Sequence, residues 1–180
     1  VMTFWQDIRW RGLAAKACLE MKPQRVLDLG CGTGDLTINI ARLAEKGVEV
    51  TGVDFSQPML ELAEKKAVEA GVGEKVKLVY GEATNLPFPD GYFDCVGISF
   101  AFRNLTYKNS ARESHLSEVL RVLRQNGRYV IVESSQPENR TIRALFKLFL
   151  RAFVAPVGSL ISNNKVAYHY LAESVSHFYS

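Results

Sequence analysis

Cysteine is scarce in this sequence. Cys18, Cys31 and Cys95 are odd in number, far apart and without a CxxC spacing. That pattern argues against a disulfide framework and a zinc site, so no metal is expected, and it suits a reducing cytoplasm. An excess of one charge is also missing: 22 Lys and Arg stand against 19 Asp and Glu, a formal net charge of +3, and the charges are spread along the chain. No basic footprint for DNA or RNA results, and no nucleic-acid partner is expected. There is no low-complexity segment, no internal repeat and no linker that would divide the chain. An N-terminal apolar run with a cleavage site is lacking too, and because the first residue is Val the chain reads as an internal piece of a longer protein.

What is present is 180 residues of which 47% are apolar, enough for the core of one domain. Apolar spacing predicts a leading helix over 4–21, stopped at Pro23. Short β-rich runs then alternate with helical ones: 26–29, 36–45, 48–53, 58–70, 76–80, 93–99, 110–123 and 128–133. This rhythm predicts an α/β fold, a doubly wound and mostly parallel sheet with helices on both faces. Continuous apolar strands such as Cys95-Val96-Gly97-Ile98 fit a sheet covered on both sides. Ligands are then expected at the carboxyl ends of the strands. Helices rich in Phe and Leu over 141–154, and again over 165–175, break the rhythm and read as an insertion beside the core. The expected organisation is one domain over 1–180, with a core at 23–135 and a helical, substrate-side lid at 138–176.

Val26-Leu27-Asp28-Leu29 runs into Gly30-Cys31-Gly32-Thr33-Gly34, a buried strand followed by a glycine loop and a helix. Glycines there let the backbone turn sharply and approach a ligand with no Cβ in the way. The spacing is GxGxG, whereas dinucleotide enzymes use GxGxxG. Asp54 ends the second strand, where an acid accepts from both hydroxyls of a ribose. Asp28 is expected to face the loop, holding its amides or meeting a cationic ligand; carboxylates suit a sulfonium better than a pyrophosphate. After the third strand, Glu82 can accept from an adenine amino group, the Ala83 amide can donate to a ring nitrogen, and Leu86-Pro87-Phe88 can form an apolar wall. Three such elements at the ends of three successive strands point to S-adenosylmethionine.

These residues resemble the class I S-adenosylmethionine-dependent methyltransferases, a Rossmann-like fold. A narrower set is similar to the ubiquinone/menaquinone biosynthesis C-methyltransferase family: Ile98-Ser99-Phe100-Ala101-Phe102-Arg103-Asn104-Leu105-Thr106, Glu118-Val119-Leu120-Arg121-Val122-Leu123, Val132-Glu133-Ser134-Ser135-Gln136-Pro137, Pro156-Val157-Gly158-Ser159-Leu160 and Tyr168-His169-Tyr170-Leu171-Ala172-Glu173-Ser174. The resemblance implies cofactor contacts from Thr33, Asp54, Glu82, Ala83 and Ser99. With the loop residues and the neighbours of Asp54, the candidate set is Asp28, Gly30, Gly32, Thr33, Gly34, Asp54, Phe55, Met59, Glu82, Ala83 and Ser99. The chain departs from the family at Arg124-Gln125-Asn126-Gly127, usually Lys-Pro-Gly-Gly, and at Ser134-Ser135-Gln136-Pro137, usually Phe-Ser-Lys-Pro. Position 82 is usually Asp or Asn. The family also carries a closing pair of strands beyond the Glu173-Ser174 helix, which this sequence does not contain.

The resemblance implies C-methylation of a quinol-type ring, such as a demethylmenaquinol, with S-adenosylhomocysteine as product. Losing the phenolic proton makes the ortho carbon nucleophilic, and a nearby cation or donor stabilises that anion. Arg103 and Asn104, just past the fourth strand, are the leading candidates; the alternative for Arg103 is an ordinary salt-bridged arginine. His169 is the third catalytic candidate, set against a solvated helical histidine. Glu133 is open between a base and an acceptor for loop amides. Arg143, Lys147 and Arg151 recur every four residues beside Leu145, Phe146, Leu148, Phe149, Phe153 and Val154. That amphipathic helix is either a lid over the substrate cavity or a peripheral contact of 141–154 with the inner face of a membrane holding a lipophilic aromatic substrate. Competing functions are methyl transfer to another small lipophilic acceptor, cofactor binding without catalysis and, more distantly, a nicotinamide-dependent dehydrogenase. Nothing in the sequence speaks to oligomeric state.

Overall fold

The computed structural model describes residues 6–133, 139–149 and 152. They fall in two compact units, Val1–Glu133 and Ser134–Ser180. In the first, strands β1 (Arg25–Leu29), β2 (Glu49–Asp54), β3 (Val76–Tyr80), β4 (Phe93–Ser99) and β5 (Leu123–Val132) form one sheet in the order β3-β2-β1-β4-β5. Every pairing is parallel. The helices are α1 (Gln6–Leu19), α2 (Asp35–Leu43), α3 (Gln57–Glu69), α4 (Phe102–Thr106) and α5 (Arg112–Val122).

Alternation along the central strands sends side chains into two separate cores. Val26, Val50 and Cys95 pack with Ala14, Ala15 and Cys18 of α1, Ile40 and Ala41 of α2 and Ala67 of α3. Leu27, Leu29, Val53, Phe93 and Val96 pack on the opposite face with Val119 and Val122 of α5 and with Leu105 of α4. The doubly wound arrangement is therefore real, with α1, α2 and α3 on one face and α4 and α5 on the other. Burying one such side chain contributes roughly 1.5–3 kcal/mol, so both cores are needed to fix the sheet. Helix ends follow local chemistry: α3 has Pro58 in its first turn, buries Leu60, Ala63 and Ala67 at three- and four-residue spacing, and stops before Gly71 at φ 70°. The three cysteines are buried and free.

Most expected element ends shift by a residue or two, and some elements differ by more. The helix expected over 36–45 ends at Leu43, because Ala44 is extended and Lys46-Gly47 turns the chain into β2. The strand expected over 128–133 begins earlier, since Leu123 already pairs with Phe93; the ladder slips before Arg128 meets Cys95, and Asn126 sits in that irregular stretch at φ 61°. The five-residue α4 was not foreseen at all. In the second unit, α6 (Arg140–Phe149) realises part of the helix expected over 141–154, and the Asn139 side chain caps it by accepting from the amides of Thr141 at 2.9 Å and Ile142 at 3.2 Å. The helix expected over 165–175, with His169, lies outside the described residues. Among the described residues, no helix is long and apolar enough to cross a membrane.

Candidate functional site

Strand order reverses between β1 and β4, which opens a crevice at the carboxyl edge of a doubly wound sheet. The glycine loop leaves β1 at that point. Gly30, Gly32 and Gly34 all have positive φ, and the turn closes through Gly34 N–H donating to Cys31 O at 2.9 Å. Gly34 also has a packing reason. A Cβ there would lie 2.9 Å from Ala63 Cβ, so the start of α2 is pressed against α3. On the far side of the crevice, a Cβ on Gly30 would lie 3.0 Å from Ala101 Cβ, which puts the link after β4 against the loop.

Two neighbouring carboxylates hold this region. Asp54, at the end of β2, accepts from the Gly32 amide at 2.8 Å through Oδ2 and from the Ser56 amide at 2.9 Å through Oδ1. It is the Asp54 carboxylate, then, that holds a loop amide. Asp28 is 1% exposed and accepts from the Thr37 hydroxyl at 2.6 Å and from the Thr37 backbone amide. The expectation that Asp28 holds the loop amides is thus corrected: it reaches past the loop to the first turn of α2, whose N-cap is Gly34 and has no side chain to offer. Burial pushes the Asp28 carboxyl up to about 7, the Asp54 charge adds to the rise, and Thr37 and Arg11 oppose it. Gly52 makes the room: a Cβ there would come within 3.0 Å of Cys31 Sγ, Leu78 Cδ2 and Thr37 Oγ1.

The rest of the cofactor set lines the same edge. Phe55 is 72% exposed and Met59 43% exposed, just after Asp54. Lys66 of α3 donates to Thr33 Oγ1 at 3.2 Å and also pairs with Asp35. Glu82 is exposed, and its carbonyl accepts from the Asn85 amide at 3.0 Å, forming a small turn; Ala83 packs against the second core. Leu86 is 2% exposed. This turn is held from behind by two α5 side chains: Glu118 accepts the Leu86 amide at 2.7 Å, and Arg121 donates to the carbonyls of Leu86 at 3.0 Å and Phe88 at 2.8 Å and to Asp90 at 2.8 Å. Ser99, at the end of β4, accepts from Arg11 Nε at 3.4 Å.

Sequence reasoning missed Thr37, Lys66, Arg11 and this Glu118–Arg121 pair. Arg11 and Asp7 are four apart on one helix, and Glu118 and Arg121 three apart, so a charge-pair scan would have flagged both. Thr37 and Lys66 carry no comparable local signal.

On the side past β4, Arg103 of α4 is 5% exposed, and its Nη1 lies 3.4 Å from Glu133 Oε1. The other Glu133 oxygen accepts the Arg103 amide at 3.0 Å. Arg103 thus has the geometry of a buried, ion-paired arginine, and Glu133 that of an amide acceptor. Asn104 is exposed beside them. A cavity of about 390 Å³ lies at the amino ends of β1 and β2, between Pro23 and Val48, on the edge of the sheet opposite the glycine loop.

Over residues 1–180 the chain matches the ubiE/COQ5 methyltransferase family. It is 40% identical over 178 residues to the demethylmenaquinone methyltransferase of Thermus thermophilus, covering 99% of this chain and 78% of that protein. It is 37% identical over 166 residues to the ubiquinone/menaquinone biosynthesis C-methyltransferase UbiE of Pseudomonas fluorescens, covering 92% of this chain and 63% of that one. Among solved structures, the YcgJ protein from Bacillus subtilis superposes with a TM-score of 0.61 at 32% identity, over 79% of this chain and 58% of its own. The chain thus spans less than two thirds of the Pseudomonas protein and of YcgJ.

Proposed function

Because the chain belongs to the ubiE/COQ5 methyltransferase family, we propose that it carries the S-adenosylmethionine site of an enzyme that methylates a ring carbon of a quinol-type substrate. The observation that carries this reading is the single Asp54 carboxylate tied to the Gly32 amide at the strand-order reversal, which fixes an acid and a glycine cradle beside each other. The residues present fit the cofactor. The loop offers bare backbone facing open space at Gly32, and Asp54 Oδ1 and Oδ2 each retain a lone pair for ribose hydroxyls. Phe55 and Met59 supply exposed apolar surface for adenine, with the Glu82 carboxylate and Ala83 amide at its polar edge. Thr33 and Ser99 flank the amino-acid end. No metal is invoked.

The cofactor, when bound, supplies a methyl group activated by its sulfonium. The work left for the protein is positioning, which for a displacement of this kind supplies much of the rate. Asn104 is assigned to hold the phenolate oxygen of the acceptor, and Arg103, paired with Glu133, to orient α4. His169 and the segment 138–176 are assigned to the acceptor rather than to the cofactor, within one methyltransferase domain. The basic stripe Arg143, Lys147 and Arg151 gives that segment an affinity for an anionic surface, where a lipophilic quinol is met, and the protein is cytoplasmic and peripheral. The departures at 124–127 and 134–137 support a second reading, the same cofactor with another small lipophilic acceptor.

The test is transfer of labelled methyl from S-adenosylmethionine to a panel of demethylquinols, phenols and amines. Ring label on a demethylquinol is the expected result. Label on other acceptors alone would replace the quinol, and tight binding without any transfer would remove the catalytic assignment. Sedimentation with anionic and neutral vesicles tests the surface contact: enrichment on the anionic ones is expected, and no difference rejects it.

A further inference from the structure

Arg11 of α1 joins the two lips of the crevice. Its Nε donates to Ser99 Oγ at 3.4 Å, at the end of β4. Its Nη1 pairs with Asp7 at 3.0 Å and lies 3.9 Å from Asp35, at the start of α2. The guanidinium stacks over the Phe100 ring, 5.0 Å from the centroid, and Trp10 approaches the same ring at 6.2 Å. Phe100 itself is held at φ 57°, unusual for a bulky residue, and its amide is tied to Val132 O at 2.8 Å. The arginine is therefore fixed on a rigid platform and aimed along the mouth between Ser99 and Asp35, above the glycine loop.

The guanidinium keeps donors in reserve. Nε and Nη1 are engaged as described, whereas Nη2 makes no hydrogen bond among the described residues, and the side chain is 20% exposed. It also borders a cavity of about 410 Å³ that runs along α2 past Asp35, Ile38, Asn39 and Arg42 and holds no residue of the glycine loop. Lys66 is committed to Asp35 and Thr33, and Arg103 to Glu133, so neither competes for the same ligand group. The Arg11 charge is also felt by Asp28 on the floor of the site, whose carboxyl it stabilises in the charged form.

We propose that Arg11 binds the carboxylate of the cofactor's amino-acid end. This rests on the S-adenosylmethionine reading above and adds to it a binding residue from outside the glycine motif. A planar fork suits a carboxylate, since two parallel N–H donors meet two oxygens. Asp7 and Asp35 keep the arginine oriented while the site is empty of that anion, and they balance its charge so that a zwitterion rather than a simple anion is favoured.

The experiment compares three ligands by calorimetry on the full chain: S-adenosylhomocysteine, its decarboxylated analogue, and 5′-methylthioadenosine, which lacks the whole amino-acid end. In the wild type the decarboxylated analogue is expected to bind about 10- to 100-fold more weakly than S-adenosylhomocysteine. Arg11→Met is expected to lose about the same factor for S-adenosylhomocysteine while leaving methylthioadenosine within about twofold, and Arg11→Lys to fall between. Equal losses for both ligands would mean that Arg11 only props up α1, and would overturn the proposal. So would a wild type that binds the decarboxylated analogue as tightly as the parent, a result that holds even if Arg11→Met does not fold. A wild type that binds none of the three sinks the cofactor reading itself, and Arg11 with it.

Discussion

The glycine loop and the 82–90 turn lie at the ends of neighbouring parts of one sheet, yet they are held in opposite ways. On the loop side the ties come from within the sheet: the buried Asp54 accepts from the Gly32 amide, 22 residues away, and from the Ser56 amide, while the buried Asp28 accepts from Thr37 at the start of the following helix. The turn is held from outside, by the half-exposed Arg121 and the Glu118 beside it, which belong to a helix more than thirty residues further on. The buried Asp28 carboxyl makes the loop side sensitive to pH. The partly solvated Arg121 guanidinium makes the turn less costly to open, and nearly indifferent to pH near neutrality, because Arg121 is pushed up and the Glu118 carboxyl beside it is held below its ordinary value.

The contrast can be broken most forcefully at Gly34. Gly34→Ala places a side chain at φ 78° and a Cβ 2.9 Å from Ala63, and is expected to cost about 2–5 kcal/mol in denaturant unfolding. A cost below about 1 kcal/mol would show that the loop yields. Asp28 gives the next effect. Its folded carboxyl titrates near 7 and its ordinary value is 3.8, so between those values the folded state holds a proton that the unfolded chain has released. Stability from this group is full below about pH 4, falls by up to about 1.4 kcal/mol per pH unit as pH rises toward 7, and levels off above it. Asp28→Asn is expected to remove that slope in urea titrations from pH 4 to 7; identical slopes in the two proteins would contradict the buried-acid account. Arg121→Ala is expected to cost about 1–2 kcal/mol, with the same value at pH 5 and pH 8. A pH-dependent cost would erase the distinction between the two regions. Smallest of all, Arg25→Gln breaks the exposed Arg25–Glu49 pair and the contact of Arg25 with the Tyr92 ring, and is expected to change stability by about 1 kcal/mol or less in urea unfolding.

The same contrast explains how far the sequence could be read. The glycine spacing, Asp54 and the strand rhythm are local patterns, and the sheet order with helices on both faces follows from them. Asp28 was placed correctly on its strand, but its bond to Thr37 rather than to the loop amides was not legible, because nothing local says that Thr37 will turn its hydroxyl toward the strand. The ties from α5 to the 82–90 turn, and from Arg11 to Ser99 across 88 residues, exist only once the sheet has formed. The five-residue α4 is too short to show any periodicity, and its entry through Phe100 at φ 57° depends on the bond from its amide to Val132. Arg103 is ambiguous in sequence for the same reason: burial and the Glu133 partner, thirty residues on, decide what it does.

The central claim is that Asp54 and the glycine loop together form a site for an S-adenosyl ligand. The direct measurement is a calorimetric titration of S-adenosylhomocysteine into the wild type and into Asp54→Ala, with melting curves showing that both are folded. The account expects binding by the wild type, none of NADH, and a loss of roughly tenfold or more in Asp54→Ala as charge-assisted bonds to the ribose disappear. Wild-type affinity in a folded Asp54→Ala, or binding of NADH with no affinity for S-adenosylhomocysteine, would contradict it.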